Sequence, residues 1–352
     1  MKIGIIGLRG VGKSSVFSAL TGLNSTSTSS GKTSVQLGHT DVPEVRVDWL
    51  SDLFRPKKTT YAGVDFVDIG GLTAEPGQAL DAEVLNHLRA TDALVQVVQA
   101  FHNPASPFRT TPPNPVADLE ELHSELILTD LMVAEKRLER MAKEQTTGTL
   151  EYATLVKCKD TLDREKPLHT LILTTEETKA ISGFSFLTQK PMLILLNVPE
   201  ADAAKPVPTV VVEKLKSLGG KAMTLAATME AEIAQLPPDE QAAFLRDLGV
   251  TESARARFIR TAYGLLDLVT FFTVGEDEVR AWPVTRGTTA VAAAGTIHSD
   301  LARGFIRAEV VPYEKFKTAK SMAAAKKAGT FRLEGKDYIV QDGDILHVRF
   351  NV

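Results

Sequence analysis

Residues 7–14 read GLRGVGKS, which is the phosphate-loop pattern G-x-x-x-x-G-K-[ST]. The apolar residues Ile3, Ile5 and Ile6 precede it and the run VFSALTGL follows it, so the motif stands between a strand and a helix, as its chemistry requires. Backbone N–H groups of a glycine-rich turn, together with the positive end of a helix dipole, attract phosphate oxygens. The sequence therefore predicts a phosphate-binding site.

The residues of this loop have distinct predicted roles. Lys13 adds a full positive charge beside the phosphates, and Ser14 is expected to ligate Mg²⁺. Further contacts to the nucleotide phosphates are expected from the rest of the loop and the first helical turn, at Arg9, Gly10, Val11, Gly12 and Ser15.

Short apolar strands alternate with helical or loop segments over about the first 115 residues. We expect strands at KIGIIG, at VDFVDIG (64–70) and at ALVQVVQAF (93–101). The run PMLILL (191–196) is almost entirely apolar, as are strands that are buried on both faces of a parallel sheet. The predicted fold class is thus α/β, a P-loop NTPase sheet of parallel strands that resumes after an interruption.

The interruption, about residues 117–166, is expected to be a helical hairpin. Apolar residues recur in it at spacings of four, three, four and three: Ile127, Leu131, Ala134, Leu138 and Met141. This spacing places one apolar stripe along a long helix. A second helix is expected to return from about Gly148, and Cys158 within it is expected to be a packing residue.

Past Phe271 the pattern changes to strands separated by glycines and charged turns, which predicts a separate, mostly β module. The expected strands read TFFTV, EVRAWPV, FIRAEVV, TFRLEG, DYIV and ILHVRFNV. A basic stretch in this module contains Lys315, Lys317, Lys320, Lys326, Lys327, Arg332 and Lys336, against the acids Glu314 and Glu334. Two interpretations of this stretch stay open, a solubilising face and an RNA-contacting surface.

Composition excludes several classes of protein. Forty basic against 44 acidic residues give a net charge of −4, so the chain as a whole has no strong attraction to nucleic acid or anionic membrane. A single cysteine allows no internal disulfide, which fits a reducing compartment. No apolar run approaches the ~20 residues that cross a bilayer, and a strand at residue 3 leaves no room for a signal peptide. We expect a soluble, cytoplasmic monomer with no membrane or DNA partner.

A second motif, D-x-x-G, ends the apolar strand before it. The Asp68 carboxylate is expected to hold the Mg²⁺ shell through water, and the Gly71 backbone is expected to approach the γ-phosphate without a side chain in the way. Thr33, in the polar loop NSTSTSSGKTS, is expected to complete the Mg²⁺ coordination when a γ-phosphate is present. The candidates for hydrolysis are Lys13, Thr33 and Gly71, and those for the metal are Ser14, Thr33 and Asp68.

Recognition of the base is expected at the end of a later strand, at Asn197-Val198-Pro199-Glu200. Small GTPases usually carry N-K-x-D there, with an aspartate that accepts two hydrogen bonds from guanine. The longer Glu200 would crowd the exocyclic N2 of guanine, whereas adenine has no group at that position and carries a donor at N6. We expect ATP to bind at least as well as GTP. The other side of the base is expected to be lined by Ala226, Ala227, Thr228, Met229 and Glu230.

Seven segments read, in order, GLRGVGKSSVFSALTG, FVDIGGL, LRATDALVQVV, LNVPE, AATMEAEI, TIHSDLARGFIRAEVV and EGKDYIVQDGDILHVRFNV. Together they cover nearly the whole chain and resemble the YchF / Obg-like ATPase family of translation-factor-related P-loop proteins. The resemblance implies a nucleotide-binding domain at 1–116 and 167–271, an inserted helical arm at 117–166 and a C-terminal α+β TGS domain at 272–352. It also implies an ATP preference through N-x-x-E and association with ribosomes.

The phosphate loop of the chain departs from the pattern of this family. The family usually reads G-x-P-N-V-G-K-S, and Arg9 and Gly10 replace the proline and the asparagine here. Leu72 stands where Ras-like proteins carry a catalytic glutamine, so another group must position the attacking water, and Gln78 and His102 are candidates.

Three functions stay open from the sequence. The first is a switch that hydrolyses ATP slowly and engages a large partner such as the ribosome. The second is a GTPase of the same fold. The third is a binding module that holds nucleotide with little hydrolysis and uses its basic tail as the working surface.

Overall fold

The structure is a computed structural model that describes residues 1–23, 35–69, 82–103, 112–247 and 252–351. Contacts between residues divide the chain into two units. The first unit comprises Met1–Thr40 and Asp65–Thr261, and the second comprises Asp41–Val64 and Ala262–Val352. Among the described residues, each unit contains a six-stranded sheet.

The strands, numbered along the chain, are β1 (Lys2–Ile6), β2 (Val35–Asp41), β3 (Lys58–Thr60), β4 (Gly63–Ile69), β5 (Ala93–Gln99), β6 (Met192–Asn197), β7 (Lys221–Leu225), β8 (Leu268–Thr273), β9 (Glu278–Thr285), β10 (Phe305–Pro312), β11 (Arg332–Glu334) and β12 (Asp344–Phe350). The α-helices are α1 (Lys13–Thr21), α2 (Val45–Phe54), α3 (Ala82–Arg89), α4 (Pro115–Lys143), α5 (Leu150–Leu162), α6 (Thr175–Ile181), α7 (Thr209–Leu218), α8 (Ala227–Ile233), α9 (Pro238–Asp247), α10 (Ala254–Leu265), α11 (Ala290–Ile297), α12 (Ser299–Arg303), α13 (Tyr313–Ala319) and α14 (Met322–Lys327).

The sheet of the first unit has the strand order β2-β4-β1-β5-β6-β7. Strand β1 pairs in parallel with β4 and β5, and β6 pairs in parallel with β5 and β7. All seven residues of β5 are buried, as the near-continuous apolar pattern of a central parallel strand requires. The predicted parallel α/β sheet is confirmed. Because parallel strands end at the same edge of a sheet, this edge collects the phosphate loop, Asp68 and Asn197.

Helix α4 packs against the first sheet with one half and against α5 with the other half. Its first half contributes Leu119, Leu122 and Leu126 to the core that contains the strands β5 and β6. Its second half joins a separate apolar cluster with α5, in which the shared residues are Ile127, Ala134, Met141, Leu155, Cys158 and Leu162. Arg137 on α4 donates from Nε to Glu151 on α5 across 2.7 Å. The predicted helical stripe is confirmed, as is the packing role of Cys158, whose burial raises its pKa to about 11.

The sheet of the second unit has the strand order β11-β10-β12-β8-β9-β3. Strand β10 is antiparallel to β11 and β12, and β8 is antiparallel to β9. Helix α11 covers one face, where Ala290, Ala293 and Ala294 lie in one core cluster with Phe271 and Leu346. The expected β module is therefore an α+β unit, with helices between its strands.

The predicted strand DYIV (337–340) is not a strand. Ile339 forms only an isolated bridge with Thr289. The carbonyl of Tyr338 instead accepts the backbone N–H of Ala290 across 2.7 Å. The backbone of this segment is thus hydrogen-bonded to the start of α11. Backbone groups that are used in this way are not available for pairing with a neighbouring strand.

The segment 41–64 belongs to the second unit, although the sequence analysis included it in the nucleotide-binding range 1–116. Strand β3 pairs in parallel with β9 at the edge of the second sheet. The Trp49 ring meets that of Tyr313 edge to face at 5.6 Å, and the Phe54 ring stacks on that of Phe316 at 5.7 Å. The strand pairing and the aromatic contacts thus place 41–64 in the second unit, although its neighbours in the sequence belong to the first unit. The assignment of an arm and a TGS-like domain to the predicted ranges stays a prediction.

Candidate functional site

The phosphate loop connects β1 to α1 in a conformation that depends on glycine. Gly10 and Gly12 have φ angles of 79° and 94°, in the left-handed region that side chains disfavour. A Cβ atom on Gly12 would lie 2.3 Å from Nδ2 of Asn197, so this position also lacks room for a side chain. Helix α1 begins at Lys13, directly after the loop, and its first N–H groups are therefore directed toward the loop.

The side chain of Lys13 is buried and folds back on the loop. Its Nζ donates to the carbonyls of Gly7 and Leu8, each across 2.8 Å. Burial lowers the pKa of Lys13 to about 8, while Asp68 acts in the opposite direction. The neighbouring Arg9 and Ser14 are exposed, Ser15 is half-buried, and Val11 is buried under the loop. A cation is thus held beside the space that the loop encloses.

Asp68 lies near the end of β4, opposite Ile5 of β1, and its side chain is buried. Among the described residues, no group is hydrogen-bonded to the Oδ1 atom of Asp68. Burial raises the pKa of Asp68 to about 6, and Lys13 partly opposes this shift. A buried carboxylate oxygen without a partner is costly, and a hydrated cation would satisfy it.

The donor set near the loop fits Mg²⁺. No group of three or more His, Cys, Asp or Glu residues in the described part of the chain could hold a metal by itself. Mg²⁺ commonly needs only one or two protein oxygens, because substrate phosphates and water supply the rest. The carboxylate of Asp68 and the hydroxyl of Ser14 are such oxygens.

Asn197 ends β6 and connects two loops. Its Nδ2 donates to the carbonyl of Val11 across 3.0 Å, and its Oδ1 accepts the backbone N–H of Ala227 across 3.2 Å. The next residue, Val198, is buried and donates its N–H to the carbonyl of Leu225. Glu200 is exposed at the start of a short 3-10 turn. The structure thus brings the N-x-x-E segment to the phosphate loop, with the acid facing solvent.

The residues after β7 divide into two groups. Ala226 and Ala227 are buried beside Asn197, and Thr228 is exposed. Glu230, which the sequence analysis placed along the base, is buried, and its carboxylate accepts the N–H of Ala254 at the start of α10. Burial raises the pKa of Glu230. The Glu230 carboxylate is thus hydrogen-bonded at a helix N-terminus, and its place along the base stays a prediction.

Three predicted residues, Thr33, Gly71 and Gln78, lie outside the described residues, and His102 is exposed. The sequence analysis missed Gln99, which pairs in register with Asn197 at the same sheet edge. Its Oε1 is buried and has no hydrogen-bond partner in the part of the chain that the structure describes, while its Nε2 donates to the carbonyl of Phe101. A glutamine at the last position of a mostly apolar strand was the signal that could have identified it.

Two family models match the chain. YchF-GTPase_C, described as a protein of unknown function (DUF933), matches residues 268–351, and MMR_HSR1, described as a 50S ribosome-binding GTPase, matches residues 2–136. No helix among the described residues has the length and apolar character of a membrane span.

The chain is similar to relatives over their whole length. The ribosome-binding ATPase YchF of Bacillus subtilis (strain 168) is 39% identical over 361 residues, which cover 99% of each chain. The protein of the same name from Escherichia coli O157:H7 is 39% identical over 360 residues, which cover 100% of this chain and 99% of that protein. The solved structure of the Schizosaccharomyces pombe YchF GTPase aligns with a TM-score of 0.82 at 29% identity and covers 99% of this chain and 97% of that chain.

Proposed function

Since this chain belongs to the YchF family, we propose that it binds ATP with Mg²⁺, hydrolyses it slowly, and changes its association with the ribosome according to the bound nucleotide. In this proposal the first unit binds the nucleotide, the hairpin at 117–166 is an arm, and 272–352 is a TGS-like domain. The protein acts as a cytoplasmic monomer.

One observation carries the nucleotide-binding part of the proposal. Lys13 and Asp68 are buried beside the same loop and influence each other's pKa, yet no hydrogen bond or ion pair joins them. Two such groups cost free energy in an empty site. Triphosphate oxygens would pair with the ammonium group, and a hydrated cation would pair with the carboxylate. Nucleotide binding would therefore offset the free-energy cost of burying the Lys13 ammonium and the Asp68 carboxylate.

The residues of the chain have separate parts in the chemistry. The loop N–H groups and Lys13 bind and orient the phosphates, and Ser14 and Asp68 would hold Mg²⁺, which supplies charge neutralisation at the phosphoryl group. We assign Thr33 a second metal contact and Gly71 a backbone contact to the γ-phosphate. Arg9, Gly10, Val11, Gly12 and Ser15 form the rest of the cradle.

The base is proposed to lie between the N-x-x-E segment and the start of α8. Asn197 holds the two loops together, Val198 and the Ala226–Thr228 segment form the walls, and Glu200 accepts a hydrogen bond from N6 of adenine. The exposed position of Glu200 supports this role, because the carboxylate is available to a ligand.

The ribosomal part of the proposal rests on the relatives. The relatives from Bacillus subtilis and Escherichia coli are named ribosome-binding ATPases, and they match essentially the full length of this chain. Full-length similarity supports the same partner here, because the alignments cover 99% of each of these relatives.

The proposal is tested by single-turnover hydrolysis of labelled ATP with Mg²⁺, comparing the full chain with Lys13→Ala. We expect hydrolysis to fall at least about 100-fold in the variant, because the charge beside the phosphoryl group is lost. Lys166→Ala, at an exposed position, is the matched control. Equal rates for Lys13→Ala and the unaltered chain would contradict hydrolysis at this loop.

The nucleotide and the partner are tested separately. Competition between ATP and GTP should show ATP binding at least as tightly, and an at least tenfold preference for GTP would overturn the assignment of Glu200. Co-sedimentation with ribosomes should differ between the ATP-bound and nucleotide-free chain. Equal co-sedimentation in both states would contradict a nucleotide-dependent switch.

A further inference from the structure

The phosphate loop presents one charged side chain to solvent. Residues 7–12 all belong to the described part of the chain; three of them are glycines, and the apolar side chains of Leu8 and Val11 are buried. Arg9 is exposed, and so is Ser14, the residue to which Mg²⁺ is assigned. Within residues 7–12, the side chain of Arg9 is therefore the only one on the open side of the loop, where the phosphates of a nucleotide would lie.

The backbone around Arg9 is held by its neighbours. Gly7 packs directly on β5, because a Cβ atom there would lie 2.6 Å from the carbonyl oxygen of Val97. Gly10 follows Arg9 with the left-handed backbone described above. The side chain of Arg9 thus leaves the chain from a defined turn, at the third position of the phosphate loop.

The charge of Arg9 acts on Lys13. Nζ of Lys13 donates to the carbonyls of Gly7 and Leu8, so the ammonium group lies against the residue that precedes Arg9. The pKa of Lys13, lowered to about 8 mainly by burial, is also lowered by the positive charge of Arg9. One buried and one exposed cation therefore lie at the same loop, and a polyanion between them would reduce their repulsion.

Hydrolysis of ATP increases the negative charge on oxygens of the transferring and leaving groups. The oxygen of water forms a bond to the γ-phosphorus, and the bond from this phosphorus to the β–γ bridging oxygen breaks. The electron pair of the broken bond goes to the bridging oxygen of ADP, and one water proton goes to the phosphate product. Positive charge that is directed at these oxygens lowers the barrier.

The sequence lacks the glutamine that assists this step in Ras-like proteins. Leu72 stands at that position, and its side chain has no hydrogen-bonding group. A catalytic group from elsewhere in the chain is therefore needed. Lys13 is fixed by two loop carbonyls, so it would contact the phosphates in the substrate as well as in the transition state. Arg9 is exposed, and its side chain can follow the charge that develops during the reaction.

We propose that Arg9 is a catalytic residue, whose guanidinium group donates hydrogen bonds to phosphoryl oxygens as their negative charge increases. The inference rests on the proposed ATP hydrolysis and deepens it by assigning one residue to transition-state stabilisation. A guanidinium group is planar, always charged and carries several N–H donors in a fixed arrangement, which matches phosphoryl oxygens. Because Arg9 belongs to the loop itself, no partner protein is needed to supply this charge.

The first test compares single-turnover hydrolysis with ATP affinity in the full chain. Arg9→Ala should lower the hydrolysis rate about 100-fold, the effect of losing one transition-state donor. The ATP dissociation constant should change less than about threefold, because the contact is stronger in the transition state than in the substrate. Arg9→Lys should stay at least about tenfold below the unaltered rate, since it lacks the planar fork. Arg164→Ala, at an exposed position after α5, should leave both quantities unaltered.

The second test measures binding without any hydrolysis. Fluorescent N-methylanthraniloyl-ADP is titrated with Mg²⁺ in the presence and absence of aluminium fluoride, which with ADP imitates the transferring phosphoryl group. In Arg9→Ala the affinity for the fluoroaluminate complex should fall by the same factor as the hydrolysis rate, because both report transition-state stabilisation. The affinity for the labelled ADP alone should be unaltered, which also shows that the variant is folded.

Several outcomes would overturn the inference. An unaltered hydrolysis rate in Arg9→Ala, or full activity in Arg9→Lys, would contradict a catalytic guanidinium group. Equal decreases in the affinities for ATP and for the fluoroaluminate complex would assign Arg9 to substrate binding alone. If Lys13→Ala loses hydrolysis and Arg9→Ala keeps it, the role of Arg9 is rejected and the proposed function stands. Equal rates in Lys13→Ala and the unaltered chain would reject the proposed function itself.

Discussion

The side chain of Asn197 is hydrogen-bonded to Val11, with 3.0 Å between Nδ2 and the carbonyl oxygen. This contact joins the end of β6 to the phosphate loop, and the Oδ1 atom of the same side chain accepts the N–H of Ala227 at the start of α8. Gly12 leaves the space that this amide occupies. The phosphate loop and the proposed base site are thus held by one residue.

Asn197→Ala should weaken ATP binding by about 10- to 100-fold. The substitution removes two buried hydrogen bonds and leaves a carbonyl and an N–H without partners, each at a cost of about 1 kcal/mol or more. Isothermal titration calorimetry measures the change. Asn86→Ala, at an exposed position on α3, is the control. Unchanged affinity in Asn197→Ala would show that the loop keeps its geometry without this contact.

Nucleotide affinity should fall above pH about 8. Burial lowers the pKa of Lys13 to about 8 in the empty site, whereas bound phosphate favours the ammonium form. Above this pH the lysine must take up a proton when ATP binds, so affinity decreases by up to about tenfold per pH unit. Lys13→Gln should lack this decrease. A pH-independent dissociation constant across this range in the unaltered chain would contradict the role of Lys13.

Mg²⁺-dependent affinity should also fall below pH about 6. Burial raises the pKa of Asp68 to about 6, so the carboxyl is protonated below that pH and must release a proton when the cation binds. The nucleotide itself gains protons in the same range, so the comparison is with Asp68→Asn, measured under identical conditions. As the pH falls, Mg²⁺-dependent affinity should decrease more in the unaltered chain than in the variant. Equal decreases in both would contradict a role of Asp68 at the metal site.

Asp342→Ala should lower the stability of the second unit by about 1–2 kcal/mol. The Asp342 carboxylate accepts Nη1 of Arg46 across 2.7 Å and the backbone N–H of Thr270 across 2.9 Å, but it is half exposed, so water screens the ion pair. Urea unfolding followed by tryptophan fluorescence measures the loss. Asp337→Ala, at an exposed position in the same unit, should leave the midpoint unaltered.

The fragment 262–352 should not fold by itself. It lacks β3 at the sheet edge and the aromatic rings of Trp49 and Phe54, which pack on Tyr313 and Phe316. A small unit that loses an edge strand and buried aromatic area is marginal. A fusion that supplies 41–64 through a flexible linker should restore dispersed NMR spectra and cooperative unfolding. Cooperative unfolding of 262–352 alone would contradict this dependence.

Much of the candidate site could be predicted from local sequence. Gly12 and Lys13 belong to a motif whose spacing encodes a loop, and Asn197 ends an apolar strand in a parallel sheet, so both had to reach the same edge. Glu230 could not be predicted, because its partner, the N–H of Ala254, lies on another helix. Gln99 was missed because its significance depends on the neighbouring strand and on an unsatisfied buried oxygen.

The sequence by itself determined the phosphate loop, the parallel strands and the apolar stripe of the arm helix. Each depends on residues close together in the chain, through backbone conformation or the period of a helix or strand. Tertiary structure alone decided that 41–64 joins the second unit. Its strand pairs with one more than 200 positions away, as the Lys57–Asp277 ion pair with a separation of 220 illustrates. Which strands pair over such a separation depends on the burial of residues that lie far apart in the sequence. No local sequence pattern contains this information.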